Sequence, residues 1–140
     1  MELIEAKHDI FKAPDDWYLA HCISRDAVMG AGIAKEFVKR FPELKQLREG
    51  LKNHQIEAGC TRVGRVLNLV TKEFYYNKPS YKSLRYSLEC MRRIIESNGI
   101  KKLAMPRIGC GLDRLEWSKV KPIIEEVFED CDVKIGVCYL

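Results

Sequence analysis

A chain of 140 residues has the length of one domain and can bury roughly two-thirds of its unfolded surface. Its 46% apolar and 31% charged residues are those of an ordinary soluble globular protein, and no apolar run reaches bilayer-spanning length. A net charge of +4 suits a small anionic ligand but falls short of the basic footprint of a dedicated nucleic-acid binder.

The opening MELIEAKHD carries acids early and has no long apolar core, so no secretion signal is expected there. Its residues 2–6, ELIEA, read as a first strand, and residues 17–23, WYLAHCI, as a second. Residues 32–41, GIAKEFVKRF, turn helical, with Ile33, Phe37, Val38 and Phe41 at helical spacing and Pro42 as the stop. Residues 43–52 predict another short helix on which Leu44, Leu47 and Leu51 share a face. RVLNLVTK, residues 65–72, is a mostly apolar run of buried-strand length.

The longest helix is expected from Ser80 to Ser97. Ser80 is its N-cap, Tyr81, Leu84, Leu88, Met91 and Ile95 form one buried stripe, and Asn98-Gly99 is its stop. KKLAM, residues 101–105, reads as a strand. The helix after it turns Trp117, Val120, Ile124 and Val127 inward. Val133, Ile135, Val137 and Tyr139 alternate at strand period and close the chain. Strands separated by helices predict an α/β sandwich with a largely parallel or mixed sheet.

Ligands of such sheets bind beyond the C-terminal strand ends, which directs attention to the loops after Ile23, Val70 and Met105. The first contains Gly30 and Gly32 just before a helix, where free backbone N–H groups and a positive helix end can face an anion. The third glycine of GxGxxG is missing and there is no Walker A loop, so a plain tight turn is the competing reading. The third loop, MPRIGCGLDRLEW, repeats the arrangement with Gly109 and Gly111; together the two loops could hold a diphosphate. Asp113 then admits two roles: a helix cap, since Asp113 and Glu116 have capping-box spacing, or an acid or base beside the anion.

Lys78 likewise reads either as a solvent-exposed loop lysine near Lys72 and Lys82, or as a nucleophilic amine. His21 lies in an apolar strand and reads as a satisfied core histidine, while His8 and His54 have no partners at metal spacing. The six cysteines, Cys22, Cys60, Cys90, Cys110, Cys131 and Cys138, contain no CxxC pair and read as reduced intracellular thiols.

The segments AHCISRDAVMGAGIAKEF, NKPSYKSL and MPRIGCGLDRLEW resemble the macrodomain family, and within it the terminal ADP-ribose protein glycohydrolase branch. The resemblance runs over nearly the full chain and implies a single three-layer α/β/α macrodomain over residues 1–140. Lys78 before Pro-x-Tyr and Asp113 after Gly-Cys-Gly-Leu match that branch's catalytic positions. By analogy, Met29, Gly30, Ala31, Gly32 and Ile33 would embrace the diphosphate and distal ribose together with Arg107, Ile108, Gly109, Cys110, Gly111 and Leu112. Asp9 would bind the adenine amine, Ile10 and Leu140 would lie near the adenosine, and Ser24 would approach the distal sugar. Cys138 departs from the tyrosine of similar proteins, which implies adenine stacking that is either weaker or supplied by Tyr139, and His8 departs from their glycine.

What the resemblance implies chemically is the removal of mono-ADP-ribose from acidic protein side chains. Lys78 would attack C1″ and form a lysyl-ADP-ribose, which Asp113 would help to resolve; O-acetyl-ADP-ribose would be deacylated in the same pocket. Backbone N–H groups would hold the diphosphate, so neither a metal nor a cofactor is expected. The expected partners are ADP-ribose and mono-ADP-ribosylated proteins, with ADP-ribosylated DNA as a second substrate class and a non-catalytic reader as a third possibility. A monomer acting in the cytoplasm, or also the nucleus of a eukaryote, is expected, without membrane contact.

Overall fold

The computed structural model describes residues 1–48 and 59–140, so Leu51 and His54 lie outside the described residues. In chain order the elements are β1 (Glu2–Lys7), a 3-10 turn (Ile10–Lys12), β2 (Tyr18–Ser24), α1 (Gly32–Arg40) and a second 3-10 turn (Pro42–Lys45). They continue with β3 (Gly59–Val63), β4 (Val66–Lys72), α2 (Tyr81–Ser97), β5 (Lys102–Met105), α3 (Trp117–Val127) and β6 (Lys134–Tyr139). Among the described residues no helix is long and apolar enough to cross a membrane.

The strands form one mixed sheet in the order β1-β6-β5-β2-β4-β3, parallel throughout except for the β3–β4 hairpin. Period-two alternation divides β4 between two cores. Leu67 and Leu69 pack under α2 and α3 with Leu84, Leu88, Met91, Val120 and Ile124. Val66 and Val70 join Leu19, Phe37 and Leu44 under α1. Helices therefore cover both faces, as the α/β/α reading requires.

α2 shows how the local sequence sets an element. Ser80 Oγ accepts the Ser83 N–H at 3.0 Å while Ser83 Oγ accepts the Ser80 N–H at 3.0 Å, a reciprocal cap. Leu84, Leu88, Met91 and Ile95 are buried, each worth about 2 kcal/mol relative to exposure, so packing rather than propensity holds this helix. Gly99, at φ +61°, takes the left-handed turn that ends it.

Strand β3 is not among the elements that the sequence pattern predicts. Its residues GCTRV alternate poorly, with Arg62 exposed, and its place comes from the two-residue turn Gly64-Arg65, which sets Val63 opposite Val66. Gly64 at φ +58° supplies the backbone such a tight hairpin turn needs. Of the helix expected over residues 43–52, Pro42–Lys45 is 3-10, and Leu44 and Leu47 are buried as the pattern predicts.

The consequence for function is directional. Five parallel strands, β1, β6, β5, β2 and β4, deliver their C-terminal ends to one sheet edge. Asp9, the loop after Ser24, the loop after Lys72, the loop after Met105 and Leu140 therefore meet there.

Candidate active site

At that edge a cavity of about 930 Å³ runs between the loops after β2, β4 and β5. It adjoins a second cavity of about 840 Å³, which reaches Asp9, Tyr139 and Leu140. Gly32, Ile33, Pro106, Arg107 and Gly111 line both, so the two form a continuous cleft. Every residue singled out from the sequence for catalysis or binding lines one cavity or the other. His21 does not: it is fully buried and stacked on Phe37, with ring centroids 4.0 Å apart.

The loop after β2 is fixed by contacts from several sides. Ser24 Oγ donates to the Asp26 carboxylate, whose other oxygen accepts the Tyr75 N–H at 3.0 Å. Arg48 donates to the carbonyls of Ala27 at 2.9 Å and Val28 at 2.5 Å. Ala27 (φ +52°) and Met29 (φ +47°) are thereby held in the left-handed region although neither is glycine. α1 follows, and its N-cap, Ala31, offers no side-chain oxygen. Its first-turn N–H groups are thus left for an external acceptor, at the positive end of the helix dipole.

The loop after β5 meets it across the cleft. A Cβ on Gly32 would lie 3.0 Å from Leu112 Cδ1, so the two glycine loops touch. Gly109 stands at φ +74°, its carbonyl accepting the Leu115 N–H at 2.7 Å, and Gly111 faces open space. Asp113 does not cap a helix. α3 begins at Trp117 with Glu116 as N-cap, and the Asp113 carboxylate receives Lys72 Nζ at 2.7 Å. Lys78 Nζ donates instead to the neighbouring Leu112 carbonyl at 2.8 Å. The lysine and carboxylate expected to work together thus stand at the same end of the cavity, with the carboxylate paired to a different lysine.

Lys72 and Tyr75 line the cavity, and Asp26 and Arg48 brace the loop beside it; the sequence reading missed all four. Only Lys72 carried a usable signal, as a charge at the C-terminal end of a buried strand. Cys22 lines the cavity, but burial, reinforced by the Asp113 charge, pushes its thiol up to about 12, and a thiol so protonated is a poor nucleophile. At the far end, Asp9 Oδ1 accepts the Phe11 N–H at 3.0 Å, and the Arg107 guanidinium lies 4.5 Å over the Tyr139 ring. Among the described residues no cluster of three or more His, Cys, Asp or Glu could hold a metal ion.

No family model matches the chain. The bovine and human proteins named ADP-ribose glycohydrolase OARD1 are each 48% identical over 132 residues, 94% of this chain and 87% of theirs. The macrodomain of Thermus aquaticus DarG superposes with a TM-score of 0.87 at 22% identity, over 99% of this chain and 98% of that one. The chain belongs to the macrodomain family. Thermosipho africanus DarTG in complex with ADP-ribose has the same fold within a longer chain (TM-score 0.81, 22% identity, 98% of this macrodomain and 41% of that protein). In this macrodomain the glycine loops and both candidate catalytic residues share one cleft.

Proposed function

We propose that this macrodomain is an ADP-ribosyl glycohydrolase that binds ADP-ribose in the joined cleft and removes it from acidic protein side chains. The observation that carries the proposal is the placement of the Lys78 amine, on a neutral carbonyl beside Asp113, at the end of a cleft walled by two glycine loops. The names of the 48%-identical relatives support the same activity.

The diphosphate takes the N–H groups at the start of α1 and in the loop after β5, a form of anion binding that needs no metal. The distal ribose then lies toward Ser24, Lys78 and Asp113. Lys78, as the neutral amine, attacks C1″; the C1″–O bond breaks and the protein carboxylate departs with the electron pair. Asp113 takes a proton from water, which adds to C1″ of the lysyl adduct, and the C1″–N bond breaks to return the amine and ADP-ribose. Attack of water on the ester of O-acetyl-ADP-ribose would use the same carboxylate.

DNA is a second carrier to be tested. Phe74, Tyr75 and Tyr76 are exposed beside Lys78, and the Phe74 and Tyr76 rings are stacked with centroids 5.4 Å apart. Such a surface stacks nucleobases readily. The decisive experiment compares wild type with Lys78→Ala on a glutamate-linked mono-ADP-ribosylated protein, with ADP-ribose binding measured by calorimetry. Release by wild type, lost in the variant while binding persists, supports the proposal. Release only from ADP-ribosylated DNA moves the substrate to nucleic acid, and binding without release from either carrier leaves a reader.

A further inference from the structure

Around the reacting end of the cleft stand two lysines and one carboxylate, and their pairing is specific. Lys72 Nζ is 2.7 Å from Asp113 Oδ1, with only 14% and 16% of the two side chains exposed. Lys78 Nζ takes the carbonyl of Leu112, the preceding residue. The two amines therefore hold successive residues of one loop, one by charge and one by a neutral hydrogen bond.

Their supports differ. Lys72 is the last residue of β4, between β2 and β3 in the sheet, and its carbonyl accepts the Arg25 N–H at 2.8 Å. Lys78 lies in the loop beyond and is exposed. Lys72 is thus the amine with a fixed base, and it claims the carboxylate. A partly buried carboxylate stripped of its cation is costly and recruits another. The replacement at hand is Lys78, already bonded to the adjacent peptide. An ammonium held in such a pair resists losing the proton that nucleophilic attack requires.

We infer that Lys72 is a positioning residue for the glycohydrolase reaction: it holds Asp113 in an ion pair and so keeps the carboxylate from capturing the Lys78 amine. The inference rests on the activity proposed above. It assigns Lys72 no contact with the reacting atoms; the effect of Lys72 passes through Asp113.

A double-mutant cycle tests it, with kcat and KM measured for Lys72→Met, Asp113→Asn and the double variant on the glutamate-linked substrate, and thermal unfolding followed for each. Lys72→Met is expected to lower kcat on the order of 100-fold, the scale of a misplaced catalytic group, with little change in KM. The double variant should be no slower than Asp113→Asn alone, because with the charge gone Lys72 has nothing to hold. Lys72→Arg should stay within about threefold of wild type, since the contact is to a single carboxylate oxygen and needs a cation rather than a particular fork.

Losses that multiply in the double variant, a rise in KM with kcat unchanged, or an arginine variant as slow as the methionine one would each overturn the inference. If Lys72→Met fails to fold, Lys72→Gln replaces it in the cycle, and the arginine comparison decides independently. A wild type that releases nothing overturns the proposed activity and this role together. A wild type that turns over with an additive cycle overturns this role alone.

Discussion

Acid should unsettle this fold through one residue. His21 is fully buried in β2, and its Nε2 lies 2.6 Å from Asn68 Oδ1. The Asn68 amide nitrogen donates to the Thr61 carbonyl at 3.1 Å, which turns Oδ1 toward the ring and makes Nε2 the protonated nitrogen. Nδ1 is buried with no hydrogen-bond partner, so a second proton there would be an unpaired charge inside the core. Burial accordingly lowers the imidazole from 6.5 to about 4, against a smaller opposing effect of Asn68. The unfolded chain then takes up a proton near pH 6.5 that the folded chain refuses until about pH 4, so stability falls as pH drops through that window. Between pH 7 and pH 5 the loss is about 2 kcal/mol. The carboxyls of Asp16, Asp130, Asp132 and Glu5 are held low by their Lys and Arg partners. Their contributions disappear only below the ordinary values of 3.8 and 4.5, so pH 5 separates the two effects. Urea unfolding at pH 7 and pH 5 measures the difference, with His21→Gln as the variant that has no imidazole to titrate. Equal loss in wild type and variant, or no loss in wild type, would refute the reasoning.

Two further substitutions probe the ends of the cleft. Gly109→Ala places a Cβ at φ +74° and 2.9 Å from Leu115 Cδ1. It should cost about 1–2 kcal/mol in urea unfolding and weaken ADP-ribose binding by calorimetry. Tyr139→Ala removes the ring under Arg107, a cation–π contact of about 0.5–1 kcal/mol at an exposed site. It should raise KM roughly two- to fivefold with kcat unchanged, the pattern of lost uniform binding.

Much of this molecule is local, and the local part was legible. Leu84, Leu88, Met91 and Ile95 announce α2 by spacing alone, and Ser80 marks its first turn within a few residues of the stripe. β3 could not be read the same way, because Gly59–Val63 owes its strand to its partner β4 rather than to its own alternation. The two glycine loops were visible as motifs, yet their meeting depends on parallel strands ending at one edge. Asp113 marks the limit. Its spacing to Glu116 is that of a capping box, and only the partner 41 residues away, Lys72, shows that the carboxylate faces the cavity wall instead of a helix end. Pairing across such a separation leaves no trace in spacing.

The loop after β2 shows why a chain would keep side chains where glycine would be easier. Left-handed backbone at Ala27 and Met29 costs on the order of 1 kcal/mol each. Both side chains are buried, at 0% and 6% exposure, in the core beneath α1, and Arg48 holds the carbonyls of Ala27 and Val28. Glycine at either position would relieve the backbone but remove the packing that anchors the loop and add freedom to the unfolded chain. Gly30 and Gly32 follow within the same few residues and line the cavity, where the proposed ligand would need close approach to the backbone more than anchoring. The loop is thus pinned at its root and bare at its tip, so its N–H groups stand in place before an anion arrives. Little ordering would remain to be done on binding, and a diphosphate seated there, as proposed above, would be held correspondingly more tightly.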